Sequence, residues 1–276
     1  MSVAPDLRLQ PFSRLWLRPE QGVWPSLAVN ALALLPLLLL ALWQGGMAAL
    51  LRLLLGAALG LAWQAAFARL RGRPLLPDAG LTVAGALLLL GPDIPLGQFL
   101  IAISFAIVLG EQVFGGRGRY LLNPVVLAVG FQVFAYGPLP APALSGLALA
   151  AALGALLLLF QGLISWRLLL AASAGWLLVC VVRQEWLLPG WNDPFWFAVL
   201  FLLTDPVAGA ATRPGRIAHG LLAGLLLALP MPGYGEPAPL AALAFALMLA
   251  ALFAPLLDRC ALWWMVRRER RRQNDD

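Results

Sequence analysis

The chain has 276 residues, of which 62% are hydrophobic and 12% are charged. A soluble domain has roughly 25% charged residues and cannot hide this much apolar surface in one core, so a water-soluble fold is excluded. The basic residues are all arginines and lie between apolar runs, which indicates membrane orientation rather than binding to nucleic acid.

The hydrophobic pattern predicts an all-α polytopic membrane protein with ten transmembrane segments and no water-soluble domain. The transmembrane domain covers residues 25–257, between an N-terminal segment (1–24) and a basic tail (258–276). The ten segments are 25–43, 48–68, 79–92, 96–114, 121–137, 143–160, 164–182, 194–211, 216–231 and 238–257.

The arginines predict the orientation of these segments. All except Arg52 and Arg183 fall in loops or termini on one side of the membrane. Positive charge marks the cytoplasmic side, so both termini are expected in the cytoplasm.

Ten segments divide into five plus five, and an odd number per half would invert one half relative to the other. Segment four leads into Gly-Gly-Arg-Gly-Arg (115–119), and segment eight leads into Thr204-Asp205-Pro206. These Gly/Pro-broken turns are out of register by one segment, so the inverted repeat is a hypothesis at this point.

The first candidate site is the stretch from Glu111 to Pro124. Its glycines allow positive φ and close backbone approach, its arginines offer planar forks to an anion, and Asn-Pro suits a helix start. The stretch therefore predicts a cofactor- or anion-binding turn; the alternative is a tight turn whose arginines only follow topology. The candidate residues are Gly115, Gly116, Arg117, Arg119 and Asn123.

The second candidate site runs from Thr204 to Gly220. Asp205 follows an apolar run at the membrane edge, where an ionisable group is costly unless it is paired or hydrated. Arg213 and Arg216 are the expected partners, and the alternative is a purely structural Asp–Arg clasp between two helix ends. Thr204, Asp205, Thr212 and Arg213 are the candidate cofactor-binding residues here.

Asp78, Glu111 and Asp205 are candidates for an ion path, because each lies at the cytoplasmic end of a predicted segment. No metal site is expected, since Cys180 and Cys260 lie near opposite faces and His219 is the one histidine. No nucleophile–base set or dinucleotide fingerprint is present in the sequence, so catalytic residues stay unknown.

Four motifs together resemble the NqrB/RnfD family, membrane subunits of sodium-pumping NADH:quinone oxidoreductase and of the Rnf complex. They are Phe114-Gly115-Gly116-Arg117-Gly118-Arg119 with Asn123-Pro124; Ile164-Ser165-Trp166-Arg167; Thr204-Asp205-Pro206-Val207 with Thr212-Arg213-Pro214-Gly215-Arg216; and Ala254-Pro255-Leu256-Leu257-Asp258-Arg259. They occur in the family's order, and the similarity covers residues 78–259.

The resemblance implies electron transport coupled to ion movement in a bacterial inner membrane, within a complex of several subunits and with quinone as an acceptor. Such a translocase subunit is a flavoprotein, with FMN on a threonine of a Ser-Gly-Ala-Thr motif or with unattached riboflavin. The corresponding outer stretch, 136–147, has no threonine. We therefore expect non-covalent riboflavin or FMN and no covalent FMN.

Two alternatives stay open beside this interpretation. The chain is a cofactor-free channel or small-solute transporter, or a scaffold subunit that keeps the fold without a redox group. Whether the subunit is itself redox-active or non-catalytic is not decided by the sequence, and NADH oxidation is assigned to a partner subunit.

Overall fold

The computed structural model describes residues 23–72, 75–137, 144–184, 193–229 and 239–275, and all regular structure in these ranges is helical. The all-helical class is thus confirmed. π-Helical turns at Ala106–Gln112 and Ala198–Leu202 continue the α-helices Leu96–Phe105 and Asp193–Phe197. The described helices are α1 (Val23–Arg71), α2 (Ala79–Leu90), α3 (Leu96–Phe105), α4 (Pro124–Tyr136), α5 (Leu147–Phe160), α6 (Trp166–Arg183), α7 (Asp193–Phe197), α8 (Arg213–Ala228) and α9 (Pro239–Asp275).

Helix α1 contains two of the predicted segments, separated by a break at Gly46. Its backbone there has φ 53° and ψ −141°, which a residue with a Cβ rarely adopts. Near the break, the Gln44 amide exchanges hydrogen bonds with the backbone of Ser145, while Arg71 at the helix end binds the Gln112 carbonyl. The two arms of α1 therefore connect opposite ends of the bundle.

The helices run alternately between these two ends. We call the end that holds Asp78, Asp205 and Asp258 the motif end, and the end with Gln44 and Ser145 the opposite end. Hydrogen bonds and an ion pair join the motif-end residues to neighbouring helices. Both motif-bearing turns thus lie at one end, as the predicted topology requires.

Three of the described helices are long and apolar enough to cross a membrane, namely the stretches Leu27–Arg71, Trp166–Arg183 and Leu240–Arg271. Other helices are shorter than the predicted segments. The segment predicted over 194–211 stops its helical run near Leu202, because Pro206 has no amide hydrogen and Asp205 Oδ1 accepts from the Val207 amide at 3.0 Å. The segment predicted over 121–137 begins at Pro124, capped by Asn123.

Small residues bring α6 and α8 into close contact. A Cβ added to Gly224 would overlap the Ala172 carbonyl oxygen, and one added to Gly220 would overlap that of Leu168. Gly56 and Gly60 let α1 approach side chains of both α2 (Val83 and Ala79) and α3 with its π-helical extension (Phe99 and Ile107). Both pairs have the Gly-x-x-x-Gly spacing of closely packed membrane helices.

Candidate functional site

The two predicted sites meet at Asp205. Its Oδ2 atom accepts hydrogen bonds from the Tyr120 hydroxyl at 2.8 Å and from Asn123 Nδ2 at 2.6 Å. Tyr120 and Asn123 belong to the first candidate stretch, and Asp205 belongs to the second. Sequences that are 82 and 85 residues apart thus form one polar cluster.

Local structure determines the geometry of this cluster. Asn123 Oδ1 accepts from the Val125 amide at 2.9 Å, which caps α4 and aims the other side of the carboxamide at Asp205. Burial and the neighbouring Asp205 carboxylate raise the pKa of Tyr120 well above its usual value, so the phenol keeps the proton that it donates.

A second polar cluster lies beside the first. Arg117 Nε is 3.6 Å from Asp78 Oδ2, and the Gln64 amide donates to Asp78 Oδ1. Burial raises the pKa of Asp78, an effect that Arg117 and Gln64 partly offset. Burial alone would lower the pKa of Arg117, but the neighbouring carboxylates, Asp78 among them, more than reverse this and raise it, so its guanidinium stays charged.

Glu111 lies deep in the bundle near this cluster. It is completely buried, and its Oε1 accepts from the Thr82 hydroxyl at 2.7 Å. Oε2 has no hydrogen-bond partner among the described residues. A buried polar atom without a partner is costly, so this oxygen is available to a proton or a cation.

The glycine-rich turn after Glu111 is open. Gly115, Gly116 and Gly118 have φ values of 110°, 96° and 83°, so side chains are disfavoured at each of them. Arg119 is exposed and Arg117 is partly exposed at the same turn. The amides of Gly115 and Gly116 donate to the carbonyls of Gln112 and Glu111, and Arg117 pairs with Asp78, so the exposed Arg119 side chain is the group of this turn best placed to bind a ligand.

Asp258 organises the start of α8 and is a residue that the site prediction missed. Its carboxylate accepts from the Ala211 amide at 2.7 Å, the Thr212 amide at 2.9 Å and the Thr212 hydroxyl at 2.6 Å. Thr212 Oγ1 in turn caps α8 by accepting from the Gly215 amide at 3.1 Å. Asp258 stands in the last of the four family motifs, which was the available signal.

The expected arginine partners of Asp205 are placed differently. Arg216 Nε donates to the Ala210 carbonyl at 3.2 Å, and Arg213 is exposed at the start of α8. Thr204 uses its hydroxyl on the Leu200 carbonyl at 2.6 Å. The structure therefore replaces the expected Asp–Arg clasp by neutral donors, Tyr120 and Asn123, which the sequence pattern did not pair with Asp205.

Comparison with known proteins identifies relatives over most of the chain. Residues 26–144 and 137–262 match the sequence model of the NQR2, RnfD, RnfE family. The NqrB-type subunit of Na(+)-translocating NADH-quinone reductase from Chromohalobacter salexigens is 26% identical over 91% of this chain and 71% of its own length. Its namesake in Ectopseudomonas mendocina is 27% identical over 71% of this chain and 62% of its own length. The RnfD-type subunit of the ion-translocating oxidoreductase complex from Aeromonas hydrophila is 27% identical over 82% of this chain and 89% of its own length.

Proposed function

Because the chain belongs to the NQR2, RnfD, RnfE family, we propose that it is a membrane subunit of an ion-translocating electron-transport complex. The names of its relatives supply this class. The observation that carries the proposal is the joining of both family motif turns through Asp205, next to the buried Asp78 and Glu111. Buried carboxylates within membrane-embedded helices are costly and mark ion or proton pathways.

The proposed topology has ten spans in a bacterial inner membrane, with the motif end and both termini in the cytoplasm. Alternation of the helices between the two ends and the arginine-rich loops at the motif end support it. Short helices such as α2 fit this topology where neighbouring helices shield their ends, since irregular backbone at membrane depth is tolerated inside protein.

We also propose an inverted repeat in which the first arm of α1 corresponds to α5, the second to α6, and α2, α3, α4 correspond to α7, α8, α9. The neighbours support this: α2 packs on α4 as α7 packs on α9, and α3 packs on α4 as α8 packs on α9. In this register the contact that Gly56 and Gly60 of α1 make with α3 would correspond to the glycine-mediated contact of α6 with α8. In this register Gly91-Pro92-Asp93 after α2 corresponds to Thr204-Asp205-Pro206 after α7.

The candidate cofactor residues differ in their capacity to hold a flavin. Asn123, Asp205 and Thr212 already use polar atoms in internal bonds, and so does Thr204. Gly115, Gly116, Arg117, Arg119 and Arg213 have accessible groups. The fit is therefore to riboflavin or FMN lying against the glycine-rich turn without a covalent bond. When bound, the flavin would supply one-electron chemistry, and the arginines would orient it and neutralise its charge.

For the ion path, we propose that an ion enters from the motif end past Asp78 and Asp205. It then binds to Glu111 Oε2 inside the bundle. Glu111 is completely buried and Oε2 lacks a described partner, which is the observation in favour. Quinone and the NADH-oxidising centre are assigned to the assembled complex rather than to residues of this chain.

The test is spectroscopic. Protein purified in mild detergent should be yellow, release flavin on acid extraction and show no fluorescent band in a denaturing gel. Arg117→Gln with Arg119→Gln should reduce the bound flavin by at least about tenfold, given roughly 1.5–3 kcal/mol per charged hydrogen bond. Arg183→Gln, at the opposite end, is the control and should bind flavin normally.

Each outcome separates the candidate functions. A colourless preparation that still assembles with partner subunits would establish a scaffold, and a colourless one that conducts ions alone would establish a channel. A fluorescent gel band would overturn the expectation that flavin is not covalently attached.

A further inference from the structure

Arginine side chains stack on aromatic rings at the motif end. The distances from the guanidinium carbon to the ring centroid are 5.0–5.4 Å, the range of favourable cation–π contact. Two such pairs lie on α9, one begins α6 and one ends α1. They are Arg267 on Trp263, Arg268 on Trp264, Arg167 on Trp166, and Arg71 on Phe67.

Helix α9 leaves the bundle after Asp258. The bonds of the Asp258 carboxylate to Ala211 and Thr212, at the start of α8, are the last side-chain hydrogen bonds described between α9 and another element. Every side chain from 259 to 271 is exposed or half-buried. Trp263 and Trp264 are 62% and 52% exposed in the described chain. We call residues 259–271 the α9 extension. Large aromatic rings exposed on this scale indicate that another phase or molecule covers them.

The depth of the α9 extension matches the membrane interface. Residues 240–258 form a helical rod of about 28 Å at 1.5 Å per residue, close to the roughly 30 Å of a hydrocarbon core. Trp263 and Trp264 then lie about 8–9 Å further along, in the headgroup layer where tryptophan is favoured. The arginines follow one turn later, at the level of the phosphates and just above them.

Its charge indicates which lipids it meets. Between residues 259 and 272 the sequence has six arginines and one glutamate. Such a juxtamembrane basic cluster attracts anionic lipids. The cation–π contacts hold the Arg267 and Arg268 guanidinium groups over the indole rings, and their N–H groups can donate to phosphate oxygens there.

We propose that the α9 extension, together with Trp166 and Arg167, is a binding surface for the anionic phospholipid headgroups of the leaflet at the motif end. The inference rests on the membrane placement given under Proposed function but not on any flavin. The proposed ligand of this surface is a lipid bilayer. The test distinguishes lipid binding from binding of a partner subunit or of free phosphate.

The test uses the full chain in mild detergent and phosphatidylglycerol as the probe. The quadruple variant Arg267→Gln, Arg268→Gln, Arg270→Gln, Arg271→Gln should retain at least about tenfold less phosphatidylglycerol in native mass spectrometry, since each arginine near an anionic surface contributes roughly 1 kcal/mol. Arg183→Gln should retain lipid like the parent chain. Neutral phosphatidylcholine should be bound equally by all three proteins.

Further measurements keep the proposal falsifiable. Phosphatidylglycerol should raise the unfolding temperature of the parent chain but not of the quadruple variant, and about 1 M salt should abolish the difference because it screens exposed charges within about 3 Å. Inorganic phosphate at the same concentration should have no effect. Equal lipid retention by parent and variant would overturn the proposal, and so would variant-specific loss of partner subunits with lipid retention unchanged. The visible spectrum reports on the flavin independently.

Discussion

Asp205 is the residue on which the two motif turns depend. Its carboxylate accepts from Tyr120, Asn123 and the Val207 amide, so Asp205→Ala leaves three donors in need of partners. We expect a loss of about 1–3 kcal/mol in stability, the cost of one unsatisfied buried donor, because Tyr120 is buried whereas Asn123 and Val207 are half-buried and can bond to water. Thermal unfolding in detergent measures it, with Asp93→Ala, an exposed carboxylate at the opposite end, as the control. Equal unfolding temperatures for the two variants would contradict the central role of Asp205.

The pH dependence of stability should report on Asp78. Because burial raises the pKa of this carboxyl in the folded chain, folding is favoured while both states are protonated and loses free energy as pH rises from about 4, the unfolded pKa, through the higher folded value. Asp78→Asn cannot ionise and should lack this component. The stability difference, parent minus variant, should therefore fall with rising pH and then level off. A difference that grows with pH would show that Arg117 outweighs burial.

At the scale of single residues, the sequence analysis named Asp78, Glu111, Asn123 and Asp205 as candidate site residues, because polar groups next to apolar runs are easy to recognise. It did not identify Tyr120 or Asp258 as partners, nor the neutral donors around Asp205. Those pairings join turns that are remote in sequence, and proximity of that kind depends on helix packing that composition alone does not encode.

Among the elements, α6 and α8 depend most on residue size. Gly224→Leu would drive a side chain into the Ala172 backbone, where even a Cβ would overlap the carbonyl oxygen. We expect a loss of about 1–3 kcal/mol or more, because backbone atoms cannot move aside as side chains do. Gly80→Leu is the matched control, since a Cβ there meets no described atom within 4 Å. Thermal unfolding of the Gly224→Leu and Gly80→Leu variants measures the difference. Similar unfolding temperatures would contradict the close packing of α6 against α8.

The helix boundaries show where sequence patterns were sufficient. Hydrophobic runs located every described helix, whereas their ends were set by local chemistry. The Asn123 cap and the Asx turn of Asp205 shortened two segments, and π-helical turns completed α3 and α7. Apolar residues continue past such signals, so hydropathy overextends these two segments, whereas α9 continues as a helix to Asp275, past the predicted end at 257.

For the whole molecule, the orientation can be tested with native thiols. Cys260 is exposed on the α9 extension, Cys180 is buried in α6, and neither forms a disulfide within the described residues. A membrane-impermeant maleimide should label Cys260 in inside-out vesicles and not in intact cells. Cys260→Ser provides the blank, because buried Cys180 should not react on either side. Labelling in intact cells would place the motif end outside and reverse the topology.

The proposed inverted repeat concerns the whole molecule, and the turns that the sequence analysis compared were out of register by one segment. The turn after segment four drew attention because it holds arginines, whereas the proposed register pairs the turn after α2 with the turn after α7. Loop composition follows topology and function on each side, so equivalent turns of inverted halves face different surroundings and diverge.

The bond between Asp258 and the start of α8 has a mechanical consequence. The amides of Ala211 and Thr212 are an anion receptor at a helix N-terminus, and the chain fills this receptor with a carboxylate of its own. An anionic ligand could occupy it only by expelling Asp258, which is carried on α9. Binding of an anion at this N-terminus would therefore break the side-chain contact that ties α9 to the start of α8.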